Sequence, residues 1–246
     1  MSAIVCRQLT KSYGAFPVLK GIDLEIERGE MFGFLGPNGA GKTTTIKILT
    51  GLLLPSSGRV EVAGWDVVED PFEVKRRVGY VPDRAFLYDK LTGGEFLEFV
   101  GHLYGLDPGR ATREAGPYLE MFDLSGWADE LIEAYSHGMR QKLAVTAALL
   151  HNPEVLVIDE PMIGLDPRSA RRVKTLLKRL VENGTTVFLS THTLEVAEAL
   201  CSRVAIIQQG RILALGTIDE LRRQAMHDDG SLESIFFRLT EEEPVA

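Results

Sequence analysis

The stretch from Met31 to Thr50 constrains this chain more than any other. Met31-Phe-Gly-Phe-Leu35 is a short apolar run of strand length. Gly36-Pro-Asn-Gly-Ala-Gly-Lys-Thr-Thr44 follows it, and Thr43 to Thr50 then reads as a helix that ends near Gly51. A strand, a glycine loop and a helix in that order aim backbone N–H groups and the positive end of a helix dipole at a polyphosphate. The fixed positions are Gly36, Gly41, Lys42 and Thr43; Pro37, Asn38, Gly39, Ala40 and Thr44 complete the expected cradle. Lys42 is expected to reach the terminal phosphates and the Thr43 hydroxyl to coordinate Mg²⁺. The implied ligand is a nucleoside triphosphate, and the implied core is α/β.

The remaining pattern fits such a core. Val155-Leu-Val-Ile158, Thr186-Val-Phe-Leu189 and Val204-Ala-Ile-Ile207 are short, fully apolar and β-rich, which suits buried strands of a parallel sheet covered on both faces. Before the phosphate loop the character differs. Ile4-Val-Cys6, a turn near Tyr13-Gly14, Leu24-Glu-Ile26 and Gly58–Gly64 read as an antiparallel layer. From about Phe86 to Ser136 the signal is helical: Thr92-Gly-Gly-Glu95 has capping-box spacing, and Phe96, Phe99, Val100 and Leu103 recur at helical intervals. Further helices are expected over Arg110–Phe122 and Trp127–Ala134. The expected organisation is one domain, with residues 1–85 and 151–246 as the α/β core and its β layer, and 86–150 as an inserted helical subdomain. Leu232, Ile235, Phe236 and Leu239 form one helical stripe that packs most simply on the chain's own core. The acidic end, Glu241-Glu-Glu-Pro-Val-Ala246, is expected to fray.

Composition sets outer limits. At 246 residues and 45% hydrophobic the chain has enough apolar mass for a substantial core. The longest apolar run, Ala144 to Leu150 apart from Thr146, is far short of a bilayer span. A net charge of −8 argues against sequence-independent duplex binding, so no nucleic-acid partner is expected. Cys6 and Cys201 stand in no metal-ligand spacing and read as two reduced thiols of a cytosolic protein.

Three further constellations bear on chemistry. Val155-Leu-Val-Ile-Asp-Glu160 ends a buried strand on two carboxylates, which is costly unless a ligand compensates. Asp159 is suited to bind Mg²⁺ through water, and Glu160 to polarise an attacking water as general base. Phe188-Leu-Ser-Thr-His192 ends another strand on an imidazole; by itself His192 is equally a structural residue or one that holds the γ-phosphate oxygens and the water in line. Ser136-His-Gly138 opens a strong helical pattern, with Ser136 a good N-cap and Gly138 open to close approach. That is either an ordinary capped helix or a second anion site.

In their order and spacing these pieces resemble the nucleotide-binding subunit of an ATP-binding-cassette (ABC) transporter over nearly the whole chain. The resemblance implies a P-loop NTPase (RecA-like) core. Residues 36–43 stand as Walker A and 155–160 as Walker B with Glu160 as the catalytic glutamate. Tyr135-Ser-His-Gly-Met139 stands for the signature Leu-Ser-Gly-Gly-Gln, Gly164-Leu-Asp166 for the D-loop and His192 for the switch histidine. Tyr13, which residue chemistry alone leaves as an ordinary hairpin aromatic, falls where the family stacks a ring on adenine. The resemblance implies ATP and Mg²⁺ as cofactors and a head-to-tail dimer, two identical copies being the simplest case. Each ATP would lie between one chain's Walker A and the other's Ser136 and Gly138, with Asp166 nearby. The chain departs from the family at Tyr135, His137 and Met139, and at Asp83, which stands for the Q-loop glutamine and keeps an oxygen for Mg²⁺.

The Leu91-Thr-Gly-Gly-Glu-Phe helix and the end Ser234–Leu239 are similar to exporters of the ABC-2 type, whose ATPase and membrane permease are usually separate chains. The implied location is cytoplasmic, peripheral on the inner face of the membrane through that permease. Phe86-Leu-Tyr88 is either the surface that receives the permease or core of the helical subdomain. Two other readings compete: a soluble ABC ATPase acting on ribosomes or nucleic acid, and an ABC scaffold for cofactor assembly. Single-cassette length, acidic balance and the absence of a heptad arm weigh against the first. A phosphate-loop GTPase is excluded by the absence of an Asn-Lys-Xaa-Asp motif.

Overall fold

The computed structural model describes residues 1–107, 109–224 and 232–241. Residues up to 66 supply strands β1 (Ser2–Tyr13), β2 (Phe16–Glu27), β3 (Met31–Leu35), β4 (Ser57–Val62) and β5 (Trp65–Asp66), with helix α1 (Lys42–Leu49) after the phosphate loop. Then come α2 (Pro71–Arg77), β6 (Val78–Val81), α3 (Gly93–Leu103), α4 (Arg110–Met121), α5 (His137–Leu149), β7 (Val155–Asp159), α6 (Pro167–Glu182) and β8 (Thr186–Thr191). The chain continues through α7 (Leu194–Leu200), β9 (Arg203–Gln208), β10 (Arg211–Thr217), α8 (Ile218–Gln224) and α9 (Leu232–Glu241).

The strands form two sheets. The smaller is antiparallel in the order β2-β1-β4-β5. The larger runs β10-β9-β3-β8-β7-β6, parallel from β9 to β6 and closed at one edge by antiparallel β10. Every residue of β3, β7 and β8 is buried, which explains why these strands carry apolar runs with no alternation. One core lies between the two sheets around α1, where Phe188 packs within 6.1 Å of Phe32 and 5.2 Å of Phe34, ring centre to ring centre. The other lies between the opposite face of the large sheet and helices that include α5, α6 and α7. The stripe on α9 joins this second core: Leu232 and Ile235 are buried, and Phe236 and Leu239 pack on it.

The expected capping box is present at α3. The Thr92 hydroxyl accepts the Glu95 N–H at 3.2 Å, and the Glu95 carboxylate accepts the Thr92 N–H at 2.8 Å. The helix expected over Trp127–Ala134 is not. That segment holds two single 3₁₀ turns, Ser125–Trp127 and Ile132–Ala134. Its backbone bonds go to the start of α3 instead: Leu131 bridges Thr92, Gly93 N–H donates to Glu130 O, and Ile132 N–H donates to Leu91 O. A helix there would forfeit those tertiary bonds. Both cysteines are free and buried, with burial pushing each thiol up to about 12. The acidic end, expected to fray, lies outside the described residues from Glu242 onward. Among the described residues no helix is long and apolar enough to cross a membrane.

Candidate functional site

The carboxyl ends of β3, β8 and β7 lie side by side, so residues far apart in sequence meet at one end of the sheet. Leu35, the last residue before the phosphate loop, is in register with Thr191, and Asp159 with Ser190. From β3 the chain turns through Gly36–Gly41 and enters α1 at Lys42. Gly36 is required by contact: a Cβ there would stand 2.3 Å from the Ile207 carbonyl oxygen. Gly41 is required by conformation as well, with φ at 110°. Ala40 is buried, while Asn38, Gly39 and Thr43 are exposed, Pro37 and Thr44 partly so.

Lys42 is buried, and its ammonium folds back on the loop, donating to Gly36 O at 2.6 Å and Pro37 O at 3.1 Å. Burial lowers its pKa, opposed by the charges of Glu160 and Asp159. Asp159 is buried at the end of β7, and burial raises its pKa above the ordinary carboxylate value. The Glu160 and Asp83 charges push the same way; the neighbouring Ser190 hydroxyl and Lys42 oppose them. Asp83 follows β6 and accepts the Arg84 N–H at 2.8 Å, placing it at the same end of the sheet. The Glu160 and Asp83 charges thus both bear on Asp159, and Asp159 and Glu160 bear on the buried ammonium of Lys42.

Glu160 is held most tightly. Its backbone is left-handed, with φ at 49°, and its N–H donates to Ser190 O at 2.8 Å. One carboxylate oxygen accepts the His192 N–H at 2.9 Å and lies 2.6 Å from His192 Nδ1. The other accepts the Thr191 hydroxyl at 2.9 Å. The Glu160 side chain is 12% exposed and that of His192 54%, so the imidazole faces solvent where the carboxylate does not. Thr191 was not singled out from sequence; the only signal for it is its place between Ser190 and His192 at a strand end. The left-handed backbone at Glu160 has no sequence signal.

The structure also explains the signature segment. Ser136 caps α5, accepting the Met139 N–H at 3.3 Å. Tyr135 is buried, donates its hydroxyl to Trp127 O at 2.5 Å and meets the Trp127 ring edge-on. Met139 packs on the core of the helical region. His137 lies on Gly164: a Cβ built there would be 2.1 Å from the imidazole Cδ2, and φ at 74° already favours glycine. Asp166 caps α6, accepting from Arg168 N and Ser169 N at 3.0 Å each and from the Ser169 hydroxyl at 2.5 Å. Those bonds, led by the Ser169 hydroxyl, hold its carboxyl down to about 2. Among the described residues no hydrogen bond joins Ser136, Gly138 or Asp166 to the phosphate loop. Tyr13 stands apart too, half exposed at the end of the β1–β2 hairpin.

Comparison with known proteins bears on the family and the fold. A family model described as ABC transporter matches residues 19–163. A daunorubicin resistance ATP-binding protein, DrrA3 of Streptomyces coeruleorubidus, is 43% identical over 227 residues, covering 92% of this chain and 72% of that protein. The linearmycin resistance ATP-binding protein LnrL of Bacillus subtilis is 41% identical over 213 residues, covering 87% and 68%. A solved ATP-binding subunit of an ABC transporter superposes with a TM-score of 0.92 at 34% identity, covering 97% of this chain and 100% of that one. The dimeric, post-hydrolysis cassette MJ0796 bound to ADP and Pi superposes at 0.80 with 27% identity, covering 87% and 98%.

Proposed function

This chain belongs to the ABC transporter family, and on that premise we propose that it is the ATP-hydrolysing subunit of an exporter, driving a separate membrane permease. The observation that carries the reading is the Glu160 carboxylate, fixed by His192 and Thr191 beside the phosphate loop. A carboxylate held with one lone-pair direction free is placed to take a proton from a water attacking the γ-phosphate. His192, whose imidazole is more exposed than that carboxylate, holds it in orientation and offers its second ring nitrogen to the terminal phosphate. Lys42 would leave the Gly36 and Pro37 carbonyls for the phosphates, which offer a full negative charge in place of two dipoles.

The residues at the loop suit Mg²⁺. Burial and two neighbouring carboxylates disfavour the charge on Asp159, a cost that a divalent cation removes. Among the described residues no three acidic, histidine or cysteine side chains form a cation site alone. A metal here therefore draws on Thr43, Asp159, Asp83 and the phosphate oxygens, as Mg²⁺ sites commonly do. When bound, Mg²⁺ neutralises charge that develops on the transferred phosphate.

Ser136 and Gly138 lie at the start of α5 without bonds to their own phosphate loop, which supports a second copy's ATP as their ligand. ATP then closes two copies because it contacts both and so favours the closed state. The permease would dock in an apolar groove of about 500 Å³ between α2 and the 86–104 segment. Phe72 and Phe86, 79% and 92% exposed, stand at its rim, with Leu52 and Leu103 beside them. An apolar surface of that kind is expected to be covered by a partner. The mature assembly would sit on the inner face of the membrane through that contact, and cargo selection would belong to the permease.

The test is Glu160→Gln studied by ATPase assay and by size-exclusion chromatography with light scattering. ATP turnover should fall at least about 100-fold with ATP binding retained, and Mg-ATP should shift the variant from monomer to dimer. Normal turnover by this variant would remove Glu160 as the base.

A further inference from the structure

The turn that joins β1 to β2 carries two aromatic rings. Tyr13 is paired with Phe16 across Gly14 and Ala15, and directly opposed residues of an antiparallel pair project from the same face. Lys11, two residues before Tyr13 on the same strand, shares that face, and its ammonium lies 5.4 Å from the centre of the Tyr13 ring. Lys11 is in turn paired with Leu19. Leu19 is buried against the phosphate loop: a Cβ built on Gly41 would stand 2.7 Å from its Cδ2. The face that carries Tyr13 and Phe16 is therefore the face the hairpin turns toward the loop.

Phe16 is 78% exposed and Tyr13 48%. Phenylalanine has no polar group that gains from water, so such exposure leaves a ring available to a flat apolar ligand. The backbone beneath is fixed to the loop: Lys20 N–H donates to Gly210 O, and Gly210 N–H donates to Ala40 O, each at 2.9 Å. The ring is thus carried on a support bonded to the phosphate site.

We infer that Phe16 is a second aromatic wall of the base site, gripping with Tyr13 the adenine ring of the ATP whose phosphates lie in residues 36–44. The larger purine surface gains more from a second ring than a pyrimidine does, so Phe16 sets a preference for purine nucleotides. This inference rests on the reading of the phosphate loop given under Proposed function and on the place beside adenine that the family resemblance implies for Tyr13.

The test compares equilibrium binding of Mg-ATP, Mg-UTP and Mg-tripolyphosphate to the wild-type chain, Phe16→Ala, Phe16→Tyr and Lys42→Ala. Tripolyphosphate has no base and reads the loop alone. Phe16→Ala should weaken ATP about five- to tenfold and narrow the ATP-over-UTP ratio, with tripolyphosphate within about twofold and Phe16→Tyr close to wild type. Unchanged ATP affinity in Phe16→Ala would overturn the inference. Equal losses for ATP and tripolyphosphate would overturn it too, since Phe16 would then act through the hairpin's packing on the loop. Lys42→Ala separates the two levels. Loss of both ATP and tripolyphosphate upholds the loop whatever Phe16 does, whereas retained tripolyphosphate binding refutes the loop itself and the inference with it.

Discussion

Thr191→Val tests whether catalysis depends on how firmly the Glu160 carboxylate is held. The substitution keeps shape at a buried position and removes one hydroxyl. That hydroxyl donates to Glu160 Oε2 at 2.9 Å and accepts the Thr193 N–H at 3.0 Å. A hydrogen bond to a charged group contributes about 1.5–3 kcal/mol, which would be a factor of about 10 to 150 in rate if all of it served orientation. Two contacts from His192 remain to anchor the same carboxylate, so the low end applies. The expected result is a kcat about tenfold lower, an ATP affinity within about twofold of wild type, and recovery in Thr191→Ser. Steady-state ATPase kinetics with a separate ATP-binding titration supply both numbers. A kcat within about twofold of wild type would refute the argument, as would a fall in affinity that matches the fall in kcat.

Gly164→Ala should impair ATP-dependent pairing of the Glu160→Gln background, because a methyl would meet the His137 ring and the backbone is left-handed. His137→Gly should restore part of that loss, a non-additivity read by light scattering; simple addition of the two defects would show that the contact does not matter. Asp166→Asn probes acid stability. The folded carboxyl is held at about 2, below its unfolded value of about 3.9, so its contribution is present above that unfolded value and is lost as pH falls toward 2. The variant's melting temperature should therefore fall less steeply than wild type between about pH 4 and pH 2, and parallel curves from thermal scans across that range would contradict the assignment.

The strands of the large sheet were legible because burial on both faces forces an apolar run, as at Val155–Ile158 and Thr186–Leu189. The phosphate loop was legible because its glycines answer local needs, a carbonyl against Gly36 and a positive φ at Gly41. What was not legible depends on which strands become neighbours. Glu160 and His192 were each picked out at a strand end, but their 2.6 Å contact requires β7 beside β8. The Trp127–Ala134 segment has helical composition, and bonds to Leu91–Thr92 override it. Strands β6 and β10 escaped notice for local reasons: the first has four residues with Gly79 among them, and the second lies at a sheet edge with alternating exposure. The departure at Tyr135 became intelligible only with its hydroxyl bonded to Trp127 O, a partner no spacing rule points to.

The arrangement of β3, β8 and β7 also bears on how this protein comes to be folded. The phosphate loop and Asp83 are made early in the chain, Asp159 and Glu160 come after the whole helical region, and the imidazole of His192 later still. Parallel strands so far apart pair slowly, because a long loop must close before any pair bond forms. A nascent chain that stops short of β8 therefore lacks the strand that lies between Walker A and Walker B, however much helix it has formed. Nucleotide binding should therefore appear only once β8 has paired between β3 and β7, and an ATP analogue added during refolding would time that step.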